Sequence, residues 1–125
     1  MAKFYECKHC GTMIALLKEG AMIPKCCDET MSEMPIHTKG EEKGEKHVPL
    51  VHEENDKVYV RIGEVPHPME ENHYIDWVYL LTDKGSQRKK LYPGNKPEVV
   101  FSIGEEEVVL TVIAHCNLHG LWETE

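Results

Sequence analysis

Apolar and β-branched residues fall in short bursts separated by polar turns, and nowhere do they keep a sustained helical period. Val58-Tyr59-Val60-Arg61-Ile62, Ile75-Asp76-Trp77-Val78-Tyr79-Leu80-Leu81, Val99-Val100-Phe101-Ser102-Ile103 and Val108-Val109-Leu110-Thr111-Val112-Ile113 carry the pattern, and such runs read as strands. Asn55-Asp56, Asp83-Lys84-Gly85, Pro93-Gly94-Asn95 and Gly104 punctuate them as turns. Short strands at this spacing predict an antiparallel β-sandwich. Closer to the N-terminus, Phe4-Tyr5-Glu6 and Met13-Ile14-Ala15-Leu16-Leu17 read as two shorter strands around the knuckle Cys7-Lys8-His9-Cys10-Gly11, where Gly11 supplies a permissive backbone. Residues 37–46 are polar and glycine-containing and read as a linker. The expected organisation is a small domain over residues 1–36 and a sandwich domain over 37–125 that begins with the linker.

Length changes this picture. In a chain of 125 residues, a leading module this small cannot bury enough apolar surface to fold alone and calls for a metal, disulfides or a partner chain. The formal net charge of -8 argues against a nucleic-acid backbone as partner. No apolar run approaches the length of a membrane span, and the N-terminal residues carry no signal-peptide core. A cytoplasmic chain is expected, with cysteines present as thiols or metal ligands.

Five cysteines and eight histidines supply the candidate chemistry. Cys7, Cys10, Cys26 and Cys27 offer four thiolates, a soft set that suits zinc or iron. The two residues between Cys7 and Cys10 let one turn present both sulfurs. Cys26 and Cys27 are adjacent, and successive side chains tend to diverge, so a site using both should be distorted. Spacing alone leaves a structural zinc knuckle, an iron site and disulfides open. With either metal, the module folds because the ion binds.

A second constellation lies in three loop-like segments, Glu45-Lys46-His47-Val48-Pro49, His67-Pro68-Met69-Glu70-Glu71-Asn72-His73 and His115-Cys116-Asn117-Leu118-His119. Taken singly, each histidine reads as a surface or packing residue, and Cys116 as a small buried hydrophobe. His67 and His73 would stand roughly 20 Å apart if the chain between them were extended, so both reach one ion only if that segment loops. Imidazole with thiolate favours iron, copper or zinc. Four histidines and one cysteine exceed a closed tetrahedral zinc site and fit a square pyramid with an open sixth position. Four neutral imidazoles and one thiolate on a divalent ion leave a net charge of about +1, enough to attract a small anion on an acidic protein. A thiolate ligand pushes electron density onto the metal.

Together these segments resemble the desulfoferrodoxin family, the two-iron superoxide reductases. The resemblance rests on Cys7-x-x-Cys10, Cys26-Cys27, Glu45-Lys46-His47-Val48-Pro49, His67-Pro68-Met69-Glu70-x-x-His73-Tyr74-Ile75-x-Trp77 and Cys116-Asn117-x-His119-Gly120-x-Trp122, in order over nearly the whole chain. It implies an all-β protein in which a desulforedoxin-like domain holds one iron through Cys7, Cys10, Cys26 and Cys27. An immunoglobulin-like β-sandwich would hold the reactive iron through His47, His67, His73 and His119, with Cys116 axial. It further implies a homodimer that reduces superoxide to hydrogen peroxide without forming dioxygen and is re-reduced by a donor such as rubredoxin. Lys46 would attract superoxide and help deliver a proton, while Glu45 would bind the oxidised iron when no substrate is present. Without the family, both read as solvated loop charges.

His9, His37, His52 and His115 fall outside the matched set. His115 departs from the family pattern, in which an aromatic residue such as tyrosine precedes the cysteine. On a strand it should face away from Cys116 and serve in packing or in tuning the thiolate by a hydrogen bond. Three other readings compete: a non-enzymatic iron electron carrier, a zinc-stapled binding module, and a superoxide dismutase. The first needs no open coordination position, metal content decides the second, and oxygen evolution separates the third.

Overall fold

A computed structural model of the chain describes residues 2–124. The chain is nearly all β and divides into two compact units, Met1–Pro35 and Ile36–Glu125.

In the first unit, β1 (Phe4–Glu6) lies between β2 (Met13–Ala15) and β5 (Ser32–Glu33), and β3 (Lys25–Cys26) pairs with β4 (Glu29–Thr30). Its core consists of Tyr5, Cys7 and Met31, with Ile14, Leu16 and Cys26 packed against them. Two of those six side chains are cysteines. So small an apolar core leaves the unit dependent on whatever its sulfurs bind.

The second unit starts with β6 (Ile36–His37) and the short helix α1 (Gly44–His47). Then follow β7 (Pro49–Glu54), β8 (Lys57–Ile62), β9 (Ile75–Thr82), β10 (Ser86–Lys90), β11 (Glu98–Ser102), β12 (Val109–Cys116) and β13 (Gly120–Glu123). One sheet has the order β10-β9-β12-β13-β6 and the other β11-β8-β7. All pairings are antiparallel except β13 with β6. Alternation in β8 is strict: Val58, Val60 and Ile62 are buried, while Lys57, Tyr59 and Arg61 are exposed. Their apolar face meets Val78, Leu80, Phe101, Val112, Ala114 and Cys116 in one core. Phe101 is fully buried, and truncating such a side chain to alanine costs about 3–5 kcal/mol.

The expected strands are present, and in the second unit four more, β6, β7, β10 and β13, had no legible pattern. β10 is Ser-Gln-Arg-Lys-Lys, an edge strand held by its register with β9, and charged edges of this kind discourage pairing with other chains. β7 turns polar after Val51, and β13 is only four residues long. Asn55 and Asp56 both have positive φ, 50° and 61°, the backbone of a tight hairpin turn whose twist matches the strands it joins. Residues 37–46 are not an open tether. Ile36 and His37 pair with Leu121 and Trp122. The Glu41 carboxylate accepts a hydrogen bond from the Thr38 amide at 2.7 Å and meets His37 Nδ1 at 2.8 Å. Lys43 then enters the left-handed region at φ 71° and starts α1.

Candidate metal centres

The four N-terminal cysteines come together on two hairpin tips. Cys7 follows β1 directly, its amide bonds the Thr12 carbonyl at 2.8 Å, and its carbonyl accepts from the Gly11 amide at 2.9 Å, with Gly11 at φ 81°. That knuckle sets Cys10 beside Cys7. On the other tip, Cys27 and Asp28 adopt φ of 52° and 60° between β3 and β4. The left-handed step at Cys27 resolves the difficulty of adjacent cysteines, because it turns the second side chain back toward the first. The Cys26 and Cys27 sulfurs lie 4.0 Å apart, and those of Cys10 and Cys26 3.6 Å apart. All four sulfurs fall within 4.8 Å of one another, and none is in a disulfide. A tetrahedron with metal–sulfur bonds of about 2.3 Å has edges of roughly 3.8 Å, so the spacing fits one ion. A hydrogen bond with the Thr12 hydroxyl is the largest influence drawing the Cys10 thiol down to about 6. Hydrogen bonding with Cys7, then Cys10 and Cys26, pushes Cys27 up to about 12, and the bond to Cys10 raises Cys26. A bound cation displaces the protons these thiols share.

The second cluster forms at one rim of the sandwich. His47 closes α1 and is buried, with Nδ1 bonded to the Lys43 carbonyl at 2.8 Å, so that Nε2 faces inward. Carbonyl–amide bonds from Val48 to Gly63 (3.1 Å) and from Glu45 to Glu64 (2.8 Å) tie α1 to the start of the next loop. In that loop His67 is buried, and its Nδ1 bonds the Pro68 carbonyl at 2.7 Å. Glu70 and His73 exchange backbone hydrogen bonds of 3.0 and 3.1 Å. This closure removes the extended separation of His67 and His73 and brings their ring centroids to 4.8 Å. Cys116 ends β12 beyond a bulge against β9 and is fully buried. A turn through Gly120, at φ 79°, then brings back His119.

The donor atoms of His47, His67, His73 and Cys116 lie within 4.8 Å of one another. His119 joins them through Nδ1, 3.1 Å from His47 Nε2 and 3.6 Å from Cys116 Sγ. Ligands at about 2.1 Å from a shared ion stand roughly 3 Å apart when adjacent and 4.2 Å when opposite. Two buried nitrogens, His67 Nε2 and His73 Nε2, have no hydrogen-bond partner. Such orphans are costly unless something else satisfies them, and a metal ion would. Burial holds His67 down at about 4 and lowers His47. His119 is lowered by burial and then by the Lys43 cation. All three are thus kept in the neutral form that binds metal. Burial pushes the Cys116 thiol up. The two donor sets fit two iron centres, one of four sulfurs and one of four imidazoles and a sulfur.

Glu45 and Lys46 sit on α1 immediately before His47, and both are exposed. His115 is buried on the face opposite Cys116. Its Nδ1 bonds the Asp76 carboxylate at 2.6 Å, and its ring stacks on Trp77 with centroids 5.2 Å apart. It packs, and its hydrogen bond goes to Asp76 and not to the thiolate. His9 and His52 are exposed and paired with Glu29 and Glu54. Three supporting residues had no role in the sequence reading. Asn117 binds the loop around His73. Trp122 stacks on His47 at 4.8 Å and donates from Nε1 to the His119 carbonyl at 3.0 Å. Lys43 reaches His119 Nε2 with its ammonium at 3.2 Å. A faint signal existed for Lys43, because it stands four residues before His47, one helical turn away.

Comparison with known proteins places these features. A family described as Desulfoferrodoxin matches residues 39–125. A protein named desulfoferrodoxin homolog from Archaeoglobus fulgidus is 41% identical over 120 residues, 96% of this chain and 94% of that relative. A protein named superoxide reductase from Thermococcus kodakarensis is 35% identical over 103 residues, 69% of this chain and 90% of its own. Among solved structures, the superoxide reductase from Treponema pallidum superposes with a TM-score of 0.85 at 32% identity, covering 100% of this chain and 98% of that one.

Proposed function

This chain belongs to the desulfoferrodoxin family, and from that premise we propose that it is a superoxide reductase working at the site of four histidines and one cysteine. The reaction takes superoxide, one electron and two protons to hydrogen peroxide. His47, His67, His73, His119 and Cys116 would hold the iron, which when bound would supply the electron. The observation that carries the reading is the pair of orphaned imidazole nitrogens on His67 and His73, buried beside a buried thiol. A closed zinc tetrahedron has no use for five such donors.

The chain's own groups supply the rest. Backbone carbonyls of Lys43 and Pro68 fix which nitrogen of His47 and His67 faces inward. The Cys116 sulfur, carried on the buried end of β12, would donate electron density to an iron held there. Lys46, exposed on α1, attracts the superoxide anion and assists its protonation. Glu45, exposed on the same helix, would offer a carboxylate to the oxidised iron when substrate is absent. In this reading residues 1–36 form the four-cysteine iron domain and 37–125 the catalytic domain. The protein works as a cytoplasmic homodimer in superoxide detoxification and takes electrons from a rubredoxin-like donor.

The test is metal analysis followed by a pulse of superoxide onto the reduced protein. Two irons per chain and one peroxide formed per ferrous site oxidised, with no dioxygen released, are expected. Dioxygen evolution would instead indicate a dismutase, and one colourless zinc per chain would sink the reading.

A further inference from the structure

A β-strand shows its side chains to alternate faces, yet Ile75 and Val78, three positions apart on β9, both lie in the sandwich core. The register explains this. His115 stands opposite Trp77 and Cys116 opposite Ile75, so two neighbours on β12 face two residues of β9 that have Asp76 between them. Asp76 is the extra residue of a β-bulge. Without it, alternation from Val78 and Leu80 would carry the Asp76 carboxylate into the core, opposite Cys116. With it, Ile75 takes the core position, and Asp76 meets His115 on the other face of the sheet. Ile75 also follows His73 by two residues, so this bulge sets where the loop bearing His73 joins the sheet. One irregularity thus governs two donors.

Three contacts hold the bulge. His115 Nδ1–H donates to the Asp76 carboxylate at 2.6 Å, a charge-assisted bond on a ring that is buried from competing water. The same ring stacks on Trp77, with centroids 5.2 Å apart and planes 12° from parallel. On the far edge the Asp76 carbonyl accepts from the Leu91 amide at 3.0 Å. None of these contacts involves any of the five metal donors. We propose that Asp76 and His115 are a positioning pair for the reactive centre, their hydrogen bond holding the bulge that aims the Cys116 sulfur. This rests on the reading of Cys116 as a ligand of the reactive iron. Loss of the bulge would turn Ile75 out of the core and set a carboxylate opposite the sulfur. His115 is joined to Cys116 by one peptide bond, so a fixed His115 leaves Cys116 little freedom. Another aromatic ring at position 115 could keep the stacking on Trp77. The ring N–H that reaches Asp76 is what histidine adds in this chain.

The test loads the full chain with iron at both centres, oxidises it, and reads the thiolate-to-iron absorption of the reactive centre. The bands of the four-cysteine centre in the same sample serve as the internal reference. His115→Phe keeps a ring on Trp77 and loses the bond. Asp76→Ala loses the bond from the other side, and Asp76→Asn keeps an oxygen that accepts it. In His115→Phe and Asp76→Ala the reactive centre's band should move and weaken while the four-cysteine bands hold. The affinity of that centre for ferrous ion should fall about tenfold. Asp76→Asn should stay near the parent on both counts. A lower unfolding midpoint with an unmoved band in His115→Phe would make the pair a packing contact and overturn the proposal. A band displaced as far in Asp76→Asn as in Asp76→Ala would also overturn it, because the sulfur would then be feeling the carboxylate charge and not the bond. Should Asp76→Ala fail to fold, His115→Phe decides alone, since it preserves volume and stacking. None of these readings uses superoxide, so a chain inert toward superoxide would leave the pair standing, and failure of the pair would leave the enzyme reading intact.

Discussion

Asn117 brackets His73. Its Oδ1 accepts from the Tyr74 amide at 2.9 Å, its Nδ2 donates to the Asn72 carbonyl at 3.1 Å, and its own amide bonds the Tyr74 carbonyl at 3.1 Å. The residue after one metal donor thereby fixes the loop that carries another. Asn117→Ala removes both side-chain bonds and should lower stability by about 1–3 kcal/mol. Iron at the histidine site should fall relative to iron at the four-cysteine site, measured by metal analysis beside a urea unfolding curve. Equal loss from both sites would show that the bracket is not specific to His73.

Metal binding at the histidine site should release protons in a defined number. Burial holds His67 at about 4 and lowers His47 and His119, so at neutral pH these three surrender little. Cys116 is pushed up by burial and is a protonated thiol there. Calorimetry at pH 7.5 in buffers of different ionisation enthalpy should give about one proton per ion bound, and affinity should rise about tenfold per pH unit. In Cys116→Ser the release should vanish.

The same shift of His67 sets the acid limit of the metal-free protein. With a folded pKa of about 4 against 6.5 unfolded, the unfolded chain binds more protons between those values. Stability tied to neutral His67 is present in full above pH 6.5 and falls as pH drops toward 4. Chemical denaturation of the metal-free chain across that window checks the direction, and His67→Gln should flatten the slope.

Gly63 stands at φ 86°, and a Cβ there would run into the carbonyls of Lys46 and Val65. Gly63→Ala therefore combines left-handed strain with a clash against the backbone of α1 and should cost more than about 1 kcal/mol. Because α1 carries His47, the variant should lose metal at the histidine site before it loses the sandwich, read as metal content against far-ultraviolet circular dichroism.

Lys46→Ala should slow the reaction with superoxide and leave the spectrum of the ferrous site nearly intact. The deficit should shrink as salt screens the charge. An unchanged second-order rate at low salt would remove Lys46 from the mechanism.

Much of this was legible in the sequence wherever local chemistry and local pattern agree. The run Val58-Tyr59-Val60-Arg61-Ile62 marked a strand and Asn55-Asp56 its turn, and the structure adds which face of that strand is buried. Donor types and loop positions pointed to the second cluster. What stayed hidden was tertiary. The bridge from Glu70 to His73, which draws two histidines together, is a backbone closure no side chain announces. β10 reads as a charged loop because its strand state comes from β9. Segment 37–46 looks like a tether because its pairing to β13 and its Glu41 contacts use polar groups. Lys43 reaches His119 across 76 positions, a distance over which spacing carries no information.

The two clusters also differ in how far along the chain their donors must search for each other. Cys7 and Cys26 are 19 positions apart, whereas His47 and His119 are separated by 72. Closing the longer loop costs more entropy and must await the non-local pairing of the sandwich. The cysteine cluster is thus the fast trap and the histidine cluster the slow one. When iron is scarce during folding, the four-sulfur site should capture it first, leaving chains that are coloured but not yet competent.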